Sequence, residues 1–138
     1  MLVLDTDALS VIQRGIGPRF EALAKMLTAV DDDVFVTIIS LDEQIHGAFN
    51  EITNSDSKIR IRGYRRLHGI ADDYCNRPML DYDEKAESIF DRLKGLKGRP
   101  ATKDLRIAAI VLSHDATLVT GNVAHFQKIP LLKIGAIP

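Results

Sequence analysis

Cysteine is almost absent from this sequence: Cys75 stands alone. No intramolecular disulfide can form, and a reducing cytoplasm is the compartment that suits the composition. His46, His68, His114 and His125 are scattered, so there is no close Cys/His cluster of the zinc type. Long hydrophobic runs are missing as well. No apolar stretch approaches the ~18 residues of a membrane span, and the N-terminal MLVLDTD carries charge by position 5 with no basic leader. The expectation is a protein that is neither exported nor membrane-spanning. A surplus of positive charge is also lacking: 18 Lys and Arg stand against 19 Asp and Glu, for a net charge of −1. A nucleic-acid partner would therefore depend on local patches and bound cations. No glycine-rich phosphate loop occurs, and the single cysteine has no recognisable catalytic setting, which sets aside nucleotide hydrolysis and thiol chemistry.

What is present is an ordinary globular balance over 138 residues, 46% hydrophobic and 27% charged, which predicts one domain over residues 1–138. A chain of roughly this size buries about two-thirds of its unfolded surface and folds without a structural metal. Any metal it binds then serves function.

Leu2-Val3-Leu4 leads into Asp5 as a short buried strand over 2–5 that ends at a polar edge. Helices follow over Asp7–Arg14 and Pro18–Val30, the second with Phe20, Leu23, Ala24, Leu27 and Val30 at helical spacing. Val34–Ile38 is β-branched and continuous, and Ser40-x-x-Glu43 directly after it reads as a capping box opening a helix through Phe49. The basic stretch Asn54–Asn76 predicts an amphipathic helix weakened by Gly63 and Gly69, Pro78–Leu80 predicts a short strand, and Asp83 caps a helix to Leu93. Gly95–Pro100 is a loop. Asp104–His114 is apolar on nearly every side and predicts a buried helix. Thr117–Thr120 is a strand, Asn122–Phe126 a turn or short helix, and Leu131–Ile134 a last strand. Strands spaced by helices give an α/β fold: three layers, α/β/α, around a mainly parallel sheet of four or five strands.

In such a sheet, sites form beyond the carboxyl ends of the strands. Asp5 and Asp7 lie at and just past one such end, Glu43 opens the helix after strand two, and Thr120 and Asn122 follow strand four. Asp104 opens the buried helix at the same edge. Each residue also has a plain structural role available. Asp5 or Asp7 can cap a helix, Glu43 can answer Ser40 in the capping box, and Asp104 can complement a helix dipole. Those roles do not explain why separate elements deliver carboxylates to one edge with no paired base nearby. Clustered carboxylates repel unless a cation joins them. Oxygen ligands without Cys or His select hard ions such as Mg²⁺ or Mn²⁺, which activate water and stabilise the leaving oxygen in phosphodiester cleavage.

Four segments resemble PIN domains, especially the toxin nucleases of VapBC-type toxin–antitoxin pairs. Asp5-Thr6-Asp7-Ala8-Leu9-Ser10 resembles their D-T-N-x-x-S, and Ser40-x-x-Glu43-x-x-x-Gly47 their T-x-x-E-L-x-x-G. Gly98-x-x-x-x-x-Asp104-Leu105-x-Ile107-Ala108-Ala109 and Leu118-Val119-Thr120-x-Asn122-x-x-x-Phe126 are similar to the two later blocks, in the right order along the chain. The resemblance implies a metal-dependent endoribonuclease with Asp5, Glu43 and Asp104 as metal-binding acids. It places Thr6 and Thr120 to hydrogen-bond carboxylates or the attacking water. It also implies a small antitoxin partner and pairing of two copies of this chain. Two positions depart from the pattern: Asp7 stands where Asn is usual, and Asn122 lies where a fourth acid often sits. Basic residues expected to touch RNA are Arg14, Arg62, Arg65, Arg66, Arg99 and Lys103, with Arg60, Lys97 and Tyr64 nearby, whereas His46 and His125 are assigned to packing or surface roles. A catalytically weakened PIN-fold module that binds RNA or protein is the alternative. A haloacid-dehalogenase phosphatase would share Asp5-Thr6-Asp7 but needs downstream acids, and Gly121–Pro138 contains none.

Overall fold

The structure is a computed structural model that describes residues 1–137. In chain order its elements are β1 (Leu2–Leu4), α1 (Thr6–Arg14), α2 (Pro18–Ala29), β2 (Val34–Thr37), α3 (Ile38–Ile52), α4 (Ser57–Tyr74), β3 (Met79–Leu80), α5 (Glu84–Leu93), α6 (Thr102–Ser113), β4 (Thr117–Thr120), α7 (Val123–Phe126) and β5 (Lys133–Ala136). All five strands pair in parallel, in the order β3-β2-β1-β4-β5. Among the described residues no helix is long and apolar enough to cross a membrane.

The three residues of β1 are buried because the strand is central and covered on both sides. Alternation along a strand sends neighbours to opposite faces. Val3 accordingly joins Leu118, Phe90, Leu105 and Ile110 in a core under α5 and α6. Leu2 and Leu4 join Leu9, Val11, Leu23, Val36 and Val119 in a second core under α1 and α2, with Ala48 and Ile70 from α3 and α4. The helix predicted to be apolar all round is α6, where Leu105, Ile107, Ala108, Ala109, Ile110 and Val111 are all fully buried. It lies between the sheet and α5, so its middle is buried and solvent is reached mainly toward its two ends.

Four local expectations are corrected. The first strand stops at Leu4, because Asp5 caps α1 by accepting from Ala8 N–H at 2.7 Å. The cap of α3 is Thr37, whose hydroxyl accepts from Ser40 N–H at 3.2 Å, so the helix starts at Ile38 and Ser40-x-x-Glu43 is not its capping box. The basic helix α4 starts three residues later than Asn54, at Ser57, capped by Asp56. The last strand is Lys133–Ala136 rather than Leu131–Ile134. Leu131 adopts a left-handed φ of 65° and cannot sit in a strand, and the shifted register pairs Thr117 with Lys133 and Thr120 with Ala136 along all of β4.

Candidate active site

Strand order runs outward from β1 to β2 and β3 on one side and to β4 and β5 on the other, so the connections diverge at the carboxyl ends of β1 and β4. A parallel sheet leaves a crevice at such a point. Here it is a hollow of about 430 Å³ lined by Asp5, Thr6, Asp7, Glu43, Asp104, Gly121, Asn122, His125 and Phe126. Four of the five elements that reach it were expected from sequence to point that way, and α7 adds His125.

Asp5 sits at the bottom. It is only 4% exposed because it continues the buried strand. Burial pushes its carboxyl above the ordinary aspartate value of 3.8; the Thr120 hydroxyl and the Ala8 N–H pull it down, and the charges of Asp7 and Asp104 push it up again. Thr6, the first residue of α1, donates its hydroxyl to Glu43 Oε1 at 2.7 Å and reaches Ser40 Oγ at 3.0 Å. Glu43 is therefore turned toward β1 by a partner on another element, not held by its own helix terminus. Asp104, in the first turn of α6, has Oδ2 2.9 Å from His125 Nε2. Thr120 is fully buried at the end of β4 and accepts from Asn122 N–H at 3.0 Å, which fixes the turn that leads to α7.

Of the two acids able to cap α1, Asp5 takes the cap and Asp7 is free to turn elsewhere. Its Oδ2 accepts from Arg19 Nη2 at 2.7 Å, and this pair lies directly over Gly121, where a Cβ would come within 2.6 Å of the guanidinium. The extra acid is thus neutralised at the rim by a residue of α2. Arg19 and His125 were the two residues of this region that sequence reasoning missed or assigned to packing. Neither offers a spacing signal, because both partners lie on other elements.

The basic residues expected around the rim do not line this hollow. Arg62 and Arg66 pair with Glu51 at 3.1 and 2.9 Å, Lys103 pairs with Asp42 at 2.9 Å, and Arg99 bonds the Pro100 carbonyl. Arg65 is exposed on α4, as is Tyr64. Arg14 and Arg66 face a separate cleft. His46 pairs with Asp42 at the surface, in line with the role assigned to it.

Sequence comparison is silent: no protein-family model and no curated protein matches the chain. Comparison with solved structures is not. The DNA-bound VapBC structure from Salmonella typhimurium matches with a TM-score of 0.74 and 21% identity over 99% of this chain and 98% of that one. The fold is PIN-like. VapBC-1 from nontypeable Haemophilus influenzae matches the same PIN-like domain at TM-score 0.73 and 24% identity, covering 98% and 96% of the two chains. VapBC2 from Rickettsia felis, bound to a DNA fragment from its promoter, gives 0.71 and 22% over 98% and 97%.

Divalent-metal chemistry has to be tested against the donor set. Among the described residues no three His, Cys, Asp or Glu side chains close in as a ready-made metal cage. The carboxylates are spread over the walls of the hollow, and each commits one oxygen to a protein donor. Such a wide, all-oxygen site does not suit tetrahedral zinc. It does suit Mg²⁺ or Mn²⁺, which keep several waters and take one or two carboxylates plus substrate phosphate oxygens.

The buried Asp5 carboxylate has a consequence for stability. Its folded pKa lies above 3.8, so between 3.8 and that higher value the folded chain holds a proton the unfolded chain has lost. Stability then falls as pH rises through this window, and at neutral pH the buried charge is a net cost. Asp5→Asn keeps a good helix cap and removes the charge. In EDTA at pH 7 the variant is expected to melt a few degrees higher than the parent, with the gap closing below pH 3.8. A lower melting temperature at pH 7 would show that the carboxylate is stabilising.

Proposed function

We propose that this chain is a Mg²⁺- or Mn²⁺-dependent endoribonuclease and the toxin of a toxin–antitoxin pair. The observation that carries the reading is the delivery of Asp5, Glu43 and Asp104, from the β1–α1 junction, α3 and α6, to one hollow at the strand switch point. Asp5, Glu43 and Asp104 would hold the metal, one or two of them directly and the rest through its waters. When bound, a divalent ion lowers the pKa of water and offsets charge that builds on the phosphate. The chain's own residues supply orientation. Thr6 fixes Glu43, the Thr120 hydroxyl braces Asp5, and His125 holds Asp104. Arg19 keeps Asp7 turned to the rim. Asn122 and the exposed Gly121 leave the mouth of the hollow open to a strand of nucleic acid. RNA is the substrate and the cytoplasm the site of action in this reading.

The partner reading follows the solved neighbours, which are VapBC assemblies, two of them with DNA bound. A small antitoxin covering the acidic hollow and a homodimer of this chain complete the proposal.

Asn122 gives the reading a specific test. An amide oxygen ligates a metal weakly and supplies no charge. With Asp7 committed to Arg19, no fourth free acid remains at the mouth. Cleavage is therefore expected to need high metal concentration and to favour Mn²⁺ over Mg²⁺, since Mn²⁺ binds a given mixed carboxylate and amide site more tightly and tolerates looser geometry. Asn122→Asp should lower the metal concentration for half-maximal RNA cleavage by about 10-fold, the effect of ~1.4 kcal/mol. An unchanged titration would place residue 122 outside the metal's reach.

A further inference from the structure

A second hollow of about 380 Å³ opens between α1, α3 and α4, lined by Ser10, Gln13, Arg14, Gln44, Arg66 and Asp73 among others. We propose that it is a phosphate subsite for the RNA strand, with Arg66 and Arg14 as its cationic walls. The inference rests on the proposed nuclease function and deepens it.

The two hollows share one seam. Thr6 and Ser10 are a turn apart on α1, as are Glu43 and Gly47 on α3, with Gln44 next to Glu43. At the nearer end Thr6 bonds Glu43. At the farther end Gln44, 7% exposed, exchanges two hydrogen bonds with Gln13 at 2.7 and 3.1 Å and reaches Ser10 Oγ at 3.4 Å. A polar path thus leads from the carboxylates into the second cleft.

Gly47 sets the position of Arg66. A Cβ there would meet Arg66 Nη2 at 2.7 Å, so the guanidinium lies against the bare backbone of α3, one turn beyond Glu43. Four residues of helix rise about 6 Å, comparable to the step between neighbouring phosphates of an extended strand. Glu51 anchors Arg66 through Nη1 at 2.9 Å, yet the side chain stays 44% exposed and open to a ligand.

Charge favours an anion. Glu51 is shared by Arg62 and Arg66, and Asp73 is matched by Arg77 at 2.8 Å. Arg14 has no carboxylate partner among the described residues. Of the charged groups that line the cleft, two guanidinium groups, Arg14 and Arg66, face one carboxylate, Asp73, which Arg77 already matches. An acidic hollow repels a polyanion, so a strand needs a cationic hold beside it. Guanidinium forks match phosphate oxygens, and the Ser10 hydroxyl and paired amides offer further hydrogen bonds.

The test uses a fluorescein-labelled single-stranded RNA with full-length chain carrying Asp104→Asn, so that binding is read without cleavage. Adding Arg66→Gln is expected to weaken binding about 10-fold at low salt and to reduce the slope of log K against log salt by about 0.7, one phosphate contact on a single strand. Gly47→Ala, which displaces the guanidinium without removing it, should reproduce the loss. Lys85→Gln, exposed on α5 and outside the cleft, should change affinity less than threefold. In the active background Arg66→Gln should raise KM and leave kcat unchanged. Unaltered affinity and slope in both cleft variants would overturn the subsite. So would a polyglutamate peptide that loses binding in Arg66→Gln while RNA does not, which would assign the cleft to an acidic protein segment. Binding that depends on Arg66 in a chain that never cleaves RNA with any divalent ion would support the subsite and overturn the nuclease reading instead.

Discussion

Asp104→Asn is expected to reduce metal-dependent RNA cleavage on the order of 10³-fold while leaving the fold unchanged. The substitution is nearly isosteric, and the amide can still accept a hydrogen bond from His125, whose Nε2 lies 2.9 Å from the present carboxylate. What it loses is the charge that a cation requires. Glu43→Gln should behave alike, because Thr6 can still donate to the remaining carbonyl oxygen. Asp5→Asn should lose as much activity and gain melting temperature, a combination that separates a functional carboxylate from a structural one. Rates and melting curves on the same preparations decide the matter. Parental cleavage by any two of the three variants would remove these residues from the site.

The largest expected effect on stability lies away from the site, at Gly63. Helix α4 presses so closely on α3 that a Cβ at this position would stand 2.6 Å from Ile52 N and 2.9 Å from the Glu51 carbonyl carbon. These are backbone atoms with no rotamer to yield, so α4 must move outward. Overpacking of this kind costs about 3 kcal/mol, which lowers the melting temperature by about 10 °C in a domain of this size. Gly69, two turns on, has nothing within 4 Å of its would-be Cβ. Gly69→Ala is accordingly expected to stabilise by about 0.5 kcal/mol, from helix propensity and a less free unfolded chain. Thermal melts of the two single variants test the contrast. A Gly63→Ala variant as stable as the parent would mean that α3 and α4 are not held at this distance.

The two helix glycines show what the sequence could and could not convey. Both read as weak points in a basic amphipathic stretch, and only the packing of α4 on α3 distinguishes a required glycine from an incidental one. The same packing decides which arginines are free. Arg62 and Arg66 read alike in the sequence, and the close approach at Gly63 brings both to Glu51, yet only Arg66 also lines the cleft beside α1. By contrast, Leu2–Leu4 and α6 were legible because burial on all sides writes itself as nearly continuous apolar sequence, and Thr117–Thr120 because its β-branched threonines flank the buried Leu118 and Val119. Asp5 and Asp104 were legible as a strand-end and a helix-start acid, whereas Glu43 lies in the second turn of α3 and reaches the same edge because β2 pairs beside β1. The start of α3 was misread because Thr37 and Ser40 are both competent caps three residues apart, and no turn separates β2 from the helix. The bond between His125 and Asp104 spans 21 positions and depends on how α7 meets α6. No local pattern announces it.

The central claim is hydrolysis of RNA by metal held at Asp5, Glu43 and Asp104. Its most direct test is to incubate 5′-labelled RNA with the purified chain while titrating Mn²⁺, with EDTA and Asp104→Asn as controls. Cleavage that rises with Mn²⁺, stops in EDTA, is lost in the variant and leaves 3′-hydroxyl ends is the expected result, since water attack does not involve the 2′-hydroxyl. Cleavage that persists in EDTA and in Asp104→Asn, or ends in a 2′,3′-cyclic phosphate, would contradict it.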